Sequence, residues 1–197
     1  RDVERSRGLG DVYKRQMRIH FEEGWQERMI KAVESGAKVI HLLADLHCRG
    51  SDGTFVTELF NEAHMLLLEQ GRRDTVTLLG GGGIVGADHV PKAIISGLDA
   101  VALDMPVLFA LQGRSNGSLK HRAKVSGSLP RELDPGWADQ RLTNLCGSWR
   151  DQLLEILGAM GIREVRRLRG EFGRSMVVRH LEDEAFEGIE GYVGGGC

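Results

Sequence analysis

Four consecutive glycines, Gly80, Gly81, Gly82 and Gly83, are the residues of this chain with the clearest chemical meaning. Lacking Cβ atoms, they leave the main chain bare, so its N–H groups can close on a ligand. The apolar run Val76, Leu78 and Leu79 leads into them and reads as a short buried strand. Asp88 follows as an N-cap, with Pro91 in the first turn of a helix that carries Ala93, Ile94 and Ile95 and stops at Gly97. A strand that ends in bare backbone and feeds a helix N-terminus can hold an anion. A tight turn is the simpler reading of the same four residues. A second group, Asp45 and His47, follows the apolar run 39–43. Carboxylate and imidazole at a strand end suit acid–base chemistry or substrate binding. The simpler alternative is an Asp that caps its loop and a His on the surface. Cys48 beside Arg49 is either a thiol of lowered pKa or a plain loop residue. Glu62 and His64 read as a helix surface pair. The arginines at 163, 166, 167, 169 and 174 suit an acidic ligand or a solvated face, the second being the commoner case.

The elements that must position these groups alternate between two hydrophobic periods. Residues 18–21 form a strand, and 24–35 a helix with Trp25, Met29, Ile30 and Val33 on one side. Gly36 ends it. The run 39–43 is the next strand and 45–53 a polar loop. Residues 57–70 form a helix whose apolar side carries Leu59, Phe60, Met65, Leu66 and Leu67. After the glycine strand and its helix, 100–103 is a further strand, which Asp104, Met105 and Pro106 break. Alternation of this kind predicts parallel strands joined by helical crossovers. About four β/α units are visible, the C-terminal half of a (β/α)8 barrel. A doubly wound sheet shows the same alternation. Residues 113–135 lack periodicity and read as a loop or lid. Residues 136–160 predict a long amphipathic helix with Leu142, Leu145, Trp149, Leu153, Ile156 and Leu157 on one side. Trp149 and Met160 read as core, and 162–169 as a short basic helix.

Composition narrows the setting. The chain has 197 residues, 27% of them charged, with a net charge of −2. Bulk charge therefore points to neither nucleic acid nor membrane. No apolar run is long enough to cross a bilayer, and no signal peptide is visible. Cys48, Cys146 and Cys197 are scattered, which indicates neither a disulfide framework nor a zinc site, and a reducing cytoplasm is the expected location. The start looks foreign: residues 11–16 resemble the translation of a transposon end used in sequencing-library preparation. This divides the chain into a non-native 1–16, a partial barrel at 17–112, a loop at 113–135, a helical extension at 136–181 and an acidic peripheral tail at 182–197. We expect an internal fragment of a longer protein, with open strand edges that favour self-association.

Order and spacing from Met17 to about Met176 resemble the FMN-binding domain of the glutamate synthase family. The run Met17, Arg18, Ile19, His20, Phe21, Glu22 stands where that family has V-K-L-V-S-E, with Arg18 at its flavin-contacting lysine. Residues 80–84 match the T-D-G-G-L loop, with Gly82 and Gly83 on its two glycines. Leu103, Asp104 and Met105 fall on the F-G-T phosphate turn. Residues 154–163 resemble the post-barrel helix that ends A-L-G-V-R. The resemblance implies a flavin-dependent oxidoreductase that makes glutamate from 2-oxoglutarate and ammonia. It places FMN among Arg18, Gly81, Gly82, Gly83, Asp104 and Met105, with Asp45 and His47 as catalytic candidates. It also implies a small-molecule substrate and further domains or subunits of a glutamate synthase-like protein as partners.

Three departures limit the inheritance. The family's S-G-H-D-G-G-T-G is rewritten as residues 43–50, where only Gly50 survives. No cysteine lies between Gln112 and Cys146, so no iron–sulfur cluster is expected in this segment. Asp104 replaces a glycine beside the flavin phosphate, a repulsion of about 1 kcal/mol even at high dielectric. Arg18 or Arg49 would have to offset it. The alternatives are a flavin-free barrel paralogue serving as scaffold or regulatory subunit, and a barrel enzyme for another phosphorylated ligand.

Overall fold

The computed structural model describes residues 16–45, 47–116 and 126–171. Most of the foreign-looking start, Leu46 of the rewritten loop, Arg174, the acidic tail and Cys197 lie outside the described residues. Four parallel strands form one sheet in sequence order: β1 Gln16–His20, β2 Val39–Leu43, β3 Thr77–Gly81 and β4 Ala100–Val101. Helices α1 Trp25–Glu34, α2 Val56–Glu69 and α3 His89–Ile95 make the crossovers. β1 begins at Gln16, one residue inside the stretch that looked foreign. Parallel pairing in register (Ile19 with Leu42, Ile40 with Leu78, Gly80 with Val101) fixes which side chains share a face.

One face is covered by the helices and carries the core. Ile19, Ile40, Leu42 and Leu78 point into it, against Met29, Leu59, Phe60, Leu67, Ile94 and Leu98. Phe21 stacks edge-on against Trp25, with ring centroids 4.9 Å apart. Such pairs add about 0.5–1.5 kcal/mol to the burial of their rings. On α2 the sequence expectation needs correcting. Met65 is exposed, whereas Ala63 and His64 are buried, so the apolar stripe is rotated and His64 is no surface residue.

Past the third strand the structure departs from the expectation several times. Gly80 and Gly81 belong to β3, so the turn proper is only Gly82 and Gly83. Asp88 does not cap α3 with its side chain; it pairs instead with Lys92 at 2.7 Å. β4 is two residues long, and Asp104 opens a short helix, α4 Met105–Ala110, rather than a simple turn. Inside the expected loop, β5 Arg114–Asn116 pairs antiparallel with β6 Ser126–Ser128. Helix α5, Pro135–Ala159, starts at Asp134, whose carboxylate accepts from Trp137 N at 2.6 Å. Leu157 is buried, and Leu142, Leu145, Trp149, Leu153 and Ile156 are half-buried. The expected basic helix is a single 3-10 turn, Val165–Leu168. Among the described residues no helix is long and apolar enough to cross a membrane.

Candidate functional site

The C-terminal ends of β2, β3 and β4 meet at one edge of the sheet, where α/β folds commonly bind ligands. Pairing runs on past the strands: Ala44 N donates to Gly81 O at 2.9 Å, and Ala102 N to Gly80 O at 2.7 Å. Each of the four glycines answers a different packing demand. A Cβ on Gly80 would collide with Leu98 and stand 2.7 Å from Phe60 Cζ, so this position lets the helices close on the strand. A Cβ on Gly81 would point to the other face, 3.2 Å from His41 Nε2 and 3.0 Å from Leu43 Cδ2. Gly82, at φ 110°, and Gly83, at φ 67°, are in the left-handed region that favours glycine. A Cβ on Gly82 would stand 2.5 Å from Ala44 O, and one on Gly83 would overlap Cys48 Sγ. The bare backbone therefore presses against the β2 loop on one side.

The amides of this turn are the chemically open groups. Gly82 and Gly83 are buried, and among the described residues none accepts a hydrogen bond from either N–H. Buried amides are almost always paired, so two in succession mark a place for an acceptor. Helix α3 begins six residues beyond Gly83 and spans two turns, so its dipole adds little. Val85 N donates to His89 Nδ1 at 3.3 Å.

The β2 loop is organised by Asp45. Its Oδ1 accepts from His47 N and from Arg49 N, both at 2.8 Å. Its carbonyl accepts from Cys48 N at 3.2 Å. The carboxylate thus holds the loop through its amides. His47 is exposed. Cys48 stands at φ 60°, uncommon for a residue with a side chain, and its Sγ lies 3.6 Å from Gly83 O. Burial pushes its thiol pKa up and Asp45 pushes further, with Arg49 opposing. Arg49 donates to Gly53 O at 2.7 Å.

On the other flank, Asp104 Oδ1 accepts from Met105 N at 2.7 Å and caps α4. Arg18 is exposed on β1, opposite His41 of β2 in the register and two strands from Gly81. His41, buried on the face shared with Gly81, escaped sequence analysis. Period-two alternation against Ile40 and Leu42 was the signal for it. Among the described residues no group of three or more His, Cys, Asp or Glu is placed to hold a metal.

Half of this corner suits a phosphate and half does not. The Gly82 and Gly83 amides have no acceptor among the described residues. The Met105 amide already has one, supplied by the protein's own carboxylate. Arg18 shares a sheet face with Gly81 and is available as a cation there.

No protein-family model matches the chain. It is 33% identical over 114 residues to the archaeal glutamate synthase (NADPH) of Methanocaldococcus jannaschii, covering 55% of this chain and 22% of that protein. With the archaeal-type glutamate synthase (NADPH) of Thermotoga neapolitana it shares 34% identity over 113 residues, 53% of this chain and 22% of that protein. The counterpart from Archaeoglobus fulgidus is 32% identical over 113 residues, with the same two shares. The chain thus spans about a fifth of the length of the curated relatives it matches. Among solved structures, a double mutant of flavocytochrome b2 with pyruvate bound superposes with a TM-score of 0.53 at 16% identity. The match covers 80% of this chain and 33% of that one, a likeness of fold.

Proposed function

We propose that this chain is part of a glutamate synthase-like, flavin-dependent oxidoreductase, its four strands one side of a (β/α)8 barrel. The observation that carries the reading is the pair of buried Gly82 and Gly83 amides at the strand ends, without an acceptor among the described residues. The similarity to glutamate synthases over about half the chain supports it. In this reading the two amides bind the FMN phosphate, and Arg18 provides positive charge on the sheet face that Gly81 shares. When bound, FMN would supply the hydride equivalent that reduces 2-iminoglutarate, formed from 2-oxoglutarate and ammonia, to glutamate. Asp45 shapes the neighbouring loop through its own amide bonds, and Cys48 packs the turn from behind. Other domains of a larger glutamate synthase-like protein would deliver electrons and ammonia, and no iron–sulfur cluster belongs to this segment.

Adding excess FMN and removing the unbound fraction tests the reading. A retained visible flavin spectrum is the expected result; a colourless protein overturns it. One observation favours a second reading, a flavin-free paralogue: the Asp104 carboxylate already serves Met105 N. Asp104→Gly separates the two. It removes about 1 kcal/mol of repulsion, several-fold in affinity, if a phosphate sits beside it. Unchanged FMN retention in that variant means that no phosphate is held there.

A further inference from the structure

At the opposite edge of the sheet, where β3 and β4 begin, a buried polar cluster ties four segments of chain together. Its centre is Arg73, in the 3-10 turn Arg73–Thr75, whose side chain is 3% exposed. Arg73 Nε donates to His64 Nδ1 at 2.8 Å, Nη1 to Val76 O at 3.0 Å, and Nη2 to Gly97 O at 2.7 Å and Asp99 Oδ2 at 3.0 Å. Asp99 Oδ2 also accepts from Leu78 N at 2.8 Å, and its Oδ1 from Arg169 Nη1 at 2.6 Å. Arg169 lies just past the last 3-10 turn and reaches Asp74 at 3.5 Å on the outside. One arginine thus links α2, the start of β3 and the α3–β4 turn, and one aspartate passes the link to the C-terminal segment.

The His64 imidazole is clasped between two glycine backbones. A Cβ on Gly97 would stand 2.8 Å from its Nδ1, and one on Gly170 would stand 2.7 Å from its Nε2. Gly97 is at φ 110° and Gly170 at φ 74°. A side chain at either position would displace the ring. A guanidinium keeps its protons at every relevant pH, so the nitrogen that faces Arg73 Nε must offer a lone pair. His64 is therefore neutral, with its proton on Nε2. Among the described residues the groups facing it are Arg73, Arg169 and the carboxylate Asp99, with the Gly97 carbonyl, which favours the charged ring.

We propose that His64 is an acid-released latch: a proton taken at Nδ1 expels Arg73 Nε and frees residues 165–171 from the sheet. A third cation then stands beside one half-buried carboxylate. Besides Arg169, the segment is held by Val165 and Leu168, which pack on the core. Leu168 is buried, and Gly170 N reaches Ile94 O at a long 3.4 Å. The chemistry of the site agrees in direction: burial lowers the imidazole pKa most, followed by Arg73 and Arg169, so the closed form prefers the neutral ring.

Hydrogen exchange of the full chain, read by mass spectrometry between about pH 7.5 and about pH 5.5, tests the latch. Below about pH 6.5 the corrected protection of residues 165–171 should fall by up to about tenfold per pH unit, the slope of one proton. β1, α1 and β2 should keep theirs. His64→Asn puts a non-titrating amide oxygen near the position of Nδ1 and should flatten the profile. Arg169→Gln should leave the segment poorly protected at both ends of the range. A flat profile in the unaltered chain, or an unchanged one in His64→Asn, overturns the proposal. Should His64→Asn not fold, the unaltered chain still decides, because protection lost uniformly across the sheet means global acid unfolding and refutes a latch.

Discussion

Gly83 has two separate reasons to be glycine, and they can be measured apart. Its φ of 67° costs a residue with a side chain about 1–2 kcal/mol. Its missing Cβ leaves the place that Cys48 Sγ fills. Gly83→Ala should therefore cost about 2–3 kcal/mol in chemical denaturation, more than the backbone alone explains. Cys48→Ala in the same chain should return the steric part and leave the backbone part. A loss in Gly83→Ala below about 0.5 kcal/mol, within the ordinary range of surface substitutions, would refute this packing. The same contact governs the thiol. Burial, then Asp45, hold the Cys48 pKa above its ordinary value. Asp45→Asn keeps an acceptor for the loop amides but removes the charge. Alkylation of Cys48 at fixed mildly alkaline pH should then speed up relative to the exposed Cys146 in the same sample. Equal rates before and after the substitution would show that Asp45 does not act on the thiol. The need for bare backbone at 82 and 83 was legible in the chain, because only glycine reads that way. What presses on it was not, since Cys48 lies 35 residues earlier and packs there only through strand pairing.

Among the elements, α2 shows why periodicity places a helix better than it orients one. Its length was readable, but the stripe drawn through Met65 put His64 on the surface. The helix rolls because Arg73, nine residues on, needs an acceptor inside, and an imidazole meets that need where a thioether does not. The same arginine makes the α2–β3 and α3–β4 joints one unit. Arg73→Met would leave Asp99 half-buried with a partner lost, and should cost about 3–5 kcal/mol. Asp99 also gives the unit a separate acid limb. Burial alone would raise its pKa, but the Leu78 amide, Arg169 and Arg73 outweigh that and hold it below the usual value of 3.8. A depressed carboxylate stabilises the fold above the unfolded value, and that stability is lost as pH falls through the folded one. His64 works from a higher range. Its lowered pKa means that stability is complete above the ordinary value of 6.5 and declines as pH falls below it. Denaturation midpoints along a pH series should show two steps, and Asp99→Asn should remove only the lower. Loss of both steps in that variant would place both on Asp99. The short elements after β4 were poorly legible for a related reason. A two-residue strand and a six-residue helix hold too few residues to show a period, and Asp104, the kind of residue that ends a strand, equally well begins a helix.

Among the described residues, the sheet has a well-covered face and an incompletely covered one. Parallel sheets are ordinarily buried on both faces, because each crossover lays a helix on one of them and something must cover the other. Here the three crossover helices share one face. The opposite face carries Arg18, His20, His41, Leu43, Leu79 and Gly81 in register, with Arg18 exposed and His20 and Leu79 half-buried. At the β1 margin, where no described strand pairs beyond it, an open groove of about 400 Å³ runs along Met17, Ile19 and Ala32. Met17 is 45% exposed on this strand. Alternation of strands and helices made the parallel sheet legible, since helical crossovers join parallel strands; closure was not, because it depends on what meets the two edges. An unpaired parallel edge beside apolar surface is a template for another chain. The purified chain should therefore elute from a sizing column, with mass read by light scattering, above the 21.7 kDa of a single copy, increasingly so with concentration. Met17→Lys puts a charge on that edge, the means by which natural sheets discourage pairing. It should shift the population toward the single copy without loss of helical signal. If the unaltered chain runs as one sharp species of single-copy mass at every concentration, β1 is not an adhesive edge and its groove needs no covering partner.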